Sequence, residues 1–199
     1  MFSGIITSTG IVEAIVENGT TKLLTISSPV SDLLHIDQSI AHDGICLTII
    51  KAENGRHQVE VVNETQSKTI YQNIKVGQTI NLEKSITIQT LLDGHLVQGH
   101  VDTTLHCQKI IDKNGSWLYR FNLPPEYTKL IIPHGSICIN GISLTIANIN
   151  NDSFEVSIIP YTYRHTNIKF LKENDPVNVE FDLIGKYLLR QMELGTLTE

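Results

Sequence analysis

The sequence predicts an all-β chain: two tandem six-stranded, Greek-key-like barrels followed by a C-terminal α-helix. Three observations predict it. Ser39 to Ile50 lies over Ser136 to Ala147 at an offset of 97 positions, and seven of those twelve residues are identical. The same offset pairs Thr65 with Thr162, Thr69 with Thr166, Asn81 with Asn178 and Glu83 with Glu180, so one structural unit occurs twice. Short β-branched runs broken by turn signals fill both copies, while a helical period appears only in the tail.

In chain order, Ile11 to Val16, the turn Glu17-Asn18-Gly19-Thr20 and Leu23 to Ile26 form a hairpin. Short helical stretches then interrupt each copy. Pro29 to Leu34 has its counterpart in Pro124 to Leu130, with proline where a first helical turn tolerates it. Asn54-Gly55 joins Leu47–Lys51 to Gln58–Val62. In the second copy Asn114-Gly115 precedes Trp117 to Phe121, and Asn150-Asn151-Asp152 links Ile142–Ile149 to Phe154–Ile159. Closing each set of strands into a barrel removes the exposed sheet edges. From Leu183 to Leu194, Ile184, Tyr187, Leu188 and Met192 recur at helical spacing opposite Lys186 and Arg190. That stripe either caps a barrel or meets copies of itself in an oligomer. The division expected is residues 1–94, 95–183 and a helix with tail over 184–199.

Composition narrows the function classes. Apolar content of 41% against 18% charged fits a globular protein. A formal charge of -6 with no Lys/Arg cluster argues against nucleic-acid binding. Met1 to Gly4 has no basic-then-apolar leader and no run of about 18 apolar residues occurs, which predicts a soluble, cytoplasmic protein. Cys46, Cys107 and Cys138 lack CxxC spacing, so reduced thiols are expected, with neither disulfide nor zinc.

The copies are most informative where they disagree. Cys46 faces Ser143, Asp43 faces Asn140 and His42 faces Ile139. On a strand, Cys46 and Thr48 share one face, as do Ser143 and Thr145. If that face is the core, these groups must bond neighbouring backbone. Gly94 to Thr104 aligns with the N-terminus at an offset of 95, pairing Gly4 with Gly99 and Ile5 with His100. An imidazole, suited to proton transfer, thus enters only the second copy. His95 and His100 point to opposite faces of a strand and make a poor chelating pair.

Four segments in order resemble the riboflavin synthases, two-barrel enzymes of the lumazine-binding family. They are Met1-Phe2-Ser3-Gly4-Ile5-Ile6, Gly44-Ile45-Cys46-Leu47-Thr48, Gly94-His95-Leu96-Val97-Gln98-Gly99-His100 and Gly141-Ile142-Ser143-Leu144-Thr145. The resemblance runs from residue 1 to about 192. It implies dismutation of two 6,7-dimethyl-8-ribityllumazine molecules to riboflavin and 5-amino-6-(ribitylamino)uracil, without cofactor or metal. It further implies a homotrimer held by C-terminal helices, sites shared between neighbouring subunits, and association with lumazine synthase.

Carried over by position, one substrate lies against Gly4, Ile5, Ile6, Cys46, Leu47, Thr48 and Glu60, Val61, Val62, Asn63, Glu64 and Thr65. The other lies against Gly99, His100, Val101, His134, Ser143, Leu144, Thr145 and Ser157, Ile158, Ile159, Pro160, Tyr161 and Thr162. Ser39 and Asn140 complete the binding set. His100 is expected to handle protons, Ser143 with Thr145 to position a nucleophile or water, and Cys46 to contact the other substrate. His134 stands where the family usually has lysine, Asn140 where aspartate is frequent and Tyr161 where glutamate is frequent. The rival readings are a non-catalytic lumazine or flavin antenna protein on the same fold, and an unrelated tandem-barrel interaction module.

Overall fold

The computed structural model describes residues 1–195, so residues 196–199 of the expected tail lie outside the described residues. The first barrel comprises β1 (Ser8–Asn18), β2 (Thr21–Ser27), β3 (Ser39–His42), β4 (Ile45–Glu53), β5 (Arg56–Val61) and β6 (Thr79–Lys84). The second comprises β7 (Thr103–Asp112), β8 (Trp117–Asn122), β9 (Ser136–Ile139), β10 (Ile142–Ile149), β11 (Ser153–Ile158) and β12 (Pro176–Phe181). Each set closes on itself in antiparallel pairs, the first in the order β1-β2-β5-β4-β3-β6. Bulges at Val12–Ala14 and Ile49–Lys51 recur at Cys107–Lys109 and Ile146–Asn148, supplying the local bends that closure needs. Among the described residues, no helix is long and apolar enough to cross a membrane.

All four turn signals join consecutive strands. Asn54 and Gly55 both have positive φ, 52° and 72°, the conformation a two-residue hairpin requires. The 3-10 turns at Ser31–Leu33 and Pro125–Leu130 match the proline-led stretches. Two α-helices of six residues were not expected: α1 (Asn63–Lys68) and α2 (Pro160–His165), each followed by a 3-10 turn. Six residues are too few to impose a helical period on a sequence.

Strand alternation decides what faces outward. Ile45, Leu47 and Ile49 enter the first core, and Ile142, Leu144 and Ile146 the second, leaving Cys46, Thr48, Ser143 and Thr145 on the outer faces. These four groups therefore lie outside the cores, Thr48 and Thr145 exposed and Cys46 and Ser143 half-buried. A third small core of Phe2, Ala41, Val97 and Cys138 lies between the barrels. Phe2 and Val97 bridge there, with reciprocal hydrogen bonds of 2.7 and 3.1 Å.

Reciprocal contacts of this kind mark a local two-fold axis. The β3–β4 and β9–β10 turns meet on it, so close that a Cβ on Gly44 would lie 2.8 Å from Gly141 N, and one on Gly141 2.8 Å from Gly44 N. Asn81 Nδ2 donates to Asn140 O at 2.8 Å and Asn178 Nδ2 to Asp43 O at 2.9 Å. Asp43 is fully buried, and its Oδ1 accepts from Asn81 N and Asn167 Nδ2. Desolvation raises its carboxyl to about 7, against those donors. The junction is thus polar, dense and specific in register.

The tail forms α3 (Leu183–Glu193), capped by Asp182, whose Oδ1 accepts from Ile184 N. Ile184, Tyr187, Leu188 and Met192 are all more than half exposed, so the stripe does not cap a barrel within one chain. Between α3 and the second barrel runs a groove of about 870 Å³ lined by Leu130, Ile131, Ile132 and Leu188.

Inside the first barrel, where the second has Ile139 and Phe154, stand His42 and His57. Their Nε2 atoms are 2.8 Å apart, His42 Nδ1 is 3.3 Å from Ile40 O, and His57 Nδ1 is 2.8 Å from Ser31 Oγ. A carbonyl can only accept, so His42 carries its proton on Nδ1 and accepts at Nε2 from His57, which in turn accepts from Ser31. Burial lowers His57 to about 4 and His42 well below 6.5. Between pH 6.5 and 4 these histidines bind protons in the unfolded chain and refuse them in the folded one, so their contribution to stability is lost as pH drops through that window. At about 1.4 kcal/mol per unit, His57 alone withdraws up to ~3 kcal/mol by pH 4. Asp43, raised to about 7, binds a proton on folding over the same range and opposes this loss, so the measure is a difference: relative to its value at pH 7, the urea midpoint at pH 4 should be lower in the unmodified protein than in the triple variant His42→Ile, His57→Phe, Ser31→Ala.

Candidate functional site

Glycine at positive φ lets two loops present successive N–H groups to one acceptor. Gly4 has φ 76° and Gly99 φ 82°. On β6, Glu83 Oε1 accepts from Ser3 N and Ser3 Oγ, both at 2.7 Å, and Oε2 from Gly4 N at 2.9 Å. On β12, Glu180 Oε1 accepts from Gln98 N at 2.7 Å, and Oε2 from Gly99 N and His100 N at 2.9 Å. Burial pushes both carboxyls up, while the donated hydrogen bonds pull them back down.

Each loop pinned to one barrel is laid on the other. Gly4 O accepts from Ser143 N at 2.7 Å on β10, and Gly99 O accepts from Cys46 N at 2.9 Å on β4. A Cβ on Gly4 would fall 2.6 Å from Ser143 Cβ, and one on Gly99 2.6 Å from Cys46 Cβ, so neither glycine tolerates a side chain. This exchange corrects the grouping expected from sequence. Gly4, Ile5 and Ile6 stand with Ser143, whereas Gly99, His100 and Val101 stand with Cys46.

The first cleft, about 220 Å³, is lined by Cys46, Glu64, Thr65, Lys68, His100 and Val101 among others. Lys68 Nζ donates to Glu64 Oε1 at 2.8 Å across one turn of α1. The second cleft, the surface of the second barrel that the local two-fold axis relates to the first, carries Ser143, whose Oγ lies 2.7 Å from His95 Nδ1. His95 is 8% exposed; burial lowers its pKa, and the charge of Asp182 acts the other way. From sequence, His95 counts only as half of a poor chelating pair and stays out of the site, because Gly94-His95 precedes the repeat and has no counterpart in the first copy. The signal available was the second histidine of that same segment.

The remaining expected residues divide by direction. Ser39 pairs with Thr48 across β3 and β4, at the far end of the outer face. Leu47, Val61, Leu144 and Ile158 are buried in the cores, so only their backbone can meet a ligand. Glu60 lies outward and accepts from Thr21 Oγ1. Val62, Asn63, Ser157, Ile159 and Tyr161 are exposed at or beside the starts of α1 and α2, with Pro160 opening α2 and Thr162 half-buried on it. His134, at φ 63°, donates its N–H to Ile146 O, one residue beyond Thr145. Asn140 lies instead in the junction between barrels, where its Oδ1 accepts from Asn178 N, because the turn that carries it sits on the two-fold axis.

Glu180→Gln keeps the size but turns one acceptor into a donor aimed at the loop amides. The variant should lose about 1–3 kcal/mol of stability. Hydrogen exchange should show Gln98 to His100 losing protection while Ser3 and Gly4 keep theirs, and Glu83→Gln should give the reverse.

Compared with known proteins, the chain matches the family model for the lumazine binding domain twice, over residues 3–85 and 98–182. It is 37% identical over 191 residues to the riboflavin synthase of Bacillus amyloliquefaciens, covering 96% of this chain and 89% of that one. It is 34% identical over 201 residues to that of Mycobacterium tuberculosis (strain ATCC 25618 / H37Rv), covering 96% and 98%. Among solved structures, LumP complexed with riboflavin superposes with a TM-score of 0.85 at 22% identity, covering 91% of this chain and 99% of that one. LumP complexed with 6,7-dimethyl-8-(1'-D-ribityl) lumazine gives 0.82 at 21%, with the same coverage.

Proposed function

The chain belongs to the lumazine-binding family, with two copies of its domain in tandem, and from that premise we propose that it is a riboflavin synthase. It acts in the cytoplasm, taking two molecules of 6,7-dimethyl-8-ribityllumazine to riboflavin and 5-amino-6-(ribitylamino)uracil. The observation that carries this reading is the 2.7 Å contact between His95 and Ser143, together with His100 beside Cys46 in the other cleft. An imidazole held against a hydroxyl serves to activate or orient a nucleophile. A protein that merely binds has no evident need of one in each cleft.

Cys46 on β4 and Ser143 on β10 stand on different barrels related by the local axis, Cys46 against the Gly99 loop and Ser143 against the Gly4 loop. A complete site therefore takes the first cleft of one chain and the second cleft of a neighbour. The uncovered stripe of α3 supports a homotrimer as the assembly that joins them. One substrate lies on the Cys46–Thr48 face with Glu64, Thr65, Gly99 and Val101, the other on the Ser143–Thr145 face with Gly4, Ile5, Ile6 and Thr162.

Chemistry begins with loss of a proton from the acidic 7-methyl group. His100 takes it, Ser143 oriented by His95 directs a nucleophile or water to C7 of the facing molecule, and Cys46 contacts the first. Thr145 and Thr48 orient the rings. Positioning two molecules face to face contributes the larger share, since well-oriented intramolecular arrangements can lower a barrier by ~7–11 kcal/mol.

Mixing the protein with the lumazine alone should generate riboflavin absorbance. A change in ligand fluorescence with no riboflavin formed would assign the antenna role instead. His100→Ala should slow turnover by about 10²–10⁴-fold while leaving lumazine affinity nearly unchanged. Unchanged turnover would remove His100 from the chemistry.

A further inference from the structure

The offset of 97 that relates the barrels also relates α1 to α2, where only Thr65 and Thr162 are identical between Val62–Lys68 and Ile159–His165. Glu64 on α1 corresponds to Tyr161 on α2, Lys68 to His165 and Val62 to Ile159. The offset of 95 that relates the loops sets His100 against Ile5. The wall of the first cleft is thus charged and ionisable, closed by the Glu64–Lys68 ion pair.

At the equivalent place in the second barrel, two rings are stacked. Tyr161 and His165 lie with centroids 4.2 Å apart and planes 25° from parallel. His165 Nδ1 donates to Tyr161 O at 2.8 Å, which fixes the imidazole plane and, through it, the phenol. One face of Tyr161 is therefore occupied while the side of the residue away from His165 stays open, the residue being 61% exposed. Ile159, 56% exposed, precedes it by two residues at the N-cap of α2, and Ile5, 38% exposed, follows the glycine whose carbonyl accepts from Ser143 N on β10. A flat aromatic ring, pre-oriented from one side and open on the other, favours a flat, neutral heteroaromatic ligand. The benefit grows with the ring area covered.

We propose that Tyr161, backed by His165, is the specificity-determining residue of the second cleft and makes it the ring-stacking seat of the pair. It holds a planar heteroaromatic ring more tightly than the first cleft does, and a tricyclic flavin more tightly than a bicyclic lumazine. The inference rests on the functional reading above. Under it, two identical substrates occupy unlike seats, one gripped by stacking and the other by charged and hydrogen-bonding groups.

The test is fluorescence titration of riboflavin against the full chain and its variants. The unmodified protein should show a tight class of site in which riboflavin emission is strongly quenched, as a tyrosine ring against the isoalloxazine requires. Tyr161→Glu, which installs the residue of the first cleft, should weaken that class about tenfold and relieve the quenching. Tyr161→Phe should keep the affinity, and Glu64→Gln should leave the tight class alone. Because Tyr161 is exposed, an unchanged melting temperature will separate lost stacking from lost fold. Tight, quenched binding that survives Tyr161→Glu, or that Glu64→Gln weakens instead, would overturn the inference while leaving the functional reading standing. An unmodified chain that binds neither riboflavin nor the lumazine would overturn both.

Discussion

Glu83 and Glu180 are where the two halves of the chain become dependent on each other. Each carboxylate, buried at the end of a barrel's last strand, accepts three hydrogen bonds from a loop that then lies on the opposite barrel. Hydrogen bonds to a charged acceptor are worth about 1.5–3 kcal/mol apiece, enough to hold a short loop against its own entropy. Without that exchange the outer faces of β4 and β10 would be bare strands. With it, Cys46 acquires His100 as a neighbour, and Ser143 acquires the Gly4 carbonyl and the segment bearing His95.

The local two-fold axis that results is approximate in chemistry and strict in backbone. Glycines at 4 and 99, and at 44 and 141, are placed where a Cβ would strike the partner half, so the close approach admits no other residue. Side chains are free to differ once the backbone is fixed. The first barrel carries a buried Ser31–His57–His42 chain where the second is apolar. At the junction Asp43 faces Asn140, and only Asp43 is fully desolvated as an acid. On the short helices the Glu64–Lys68 ion pair of α1 is replaced by the Tyr161–His165 stack of α2.

Much of the fold was legible because its signals are local. The 97-residue register, the four Asn-centred turns and the alternation in Ile45–Ile49 and Ile142–Ile146 each depend on a few neighbouring residues. The tail helix was legible for the same reason. The pairing of loops with strands was not, because it depends on which barrel each loop crosses to, and sequence proximity suggested the wrong partner for both Gly4 and His100. α1 and α2 were too short to read, and His95 became visible only when burial brought it within 2.7 Å of Ser143. The outward direction of Cys46 and Ser143 was left open by alternation alone, which gives two faces without saying which is the core.

The most direct test of a site completed between chains is subunit mixing. His100→Ala disables the first cleft and Ser143→Ala the second, so each variant alone should be nearly inactive. Dissociated together and reassembled, the mixture should recover about a quarter of the unmodified activity, because that fraction of interfaces unites two intact clefts. Activity that stays at the sum of the separate variants would place the whole reaction within one chain and contradict the account.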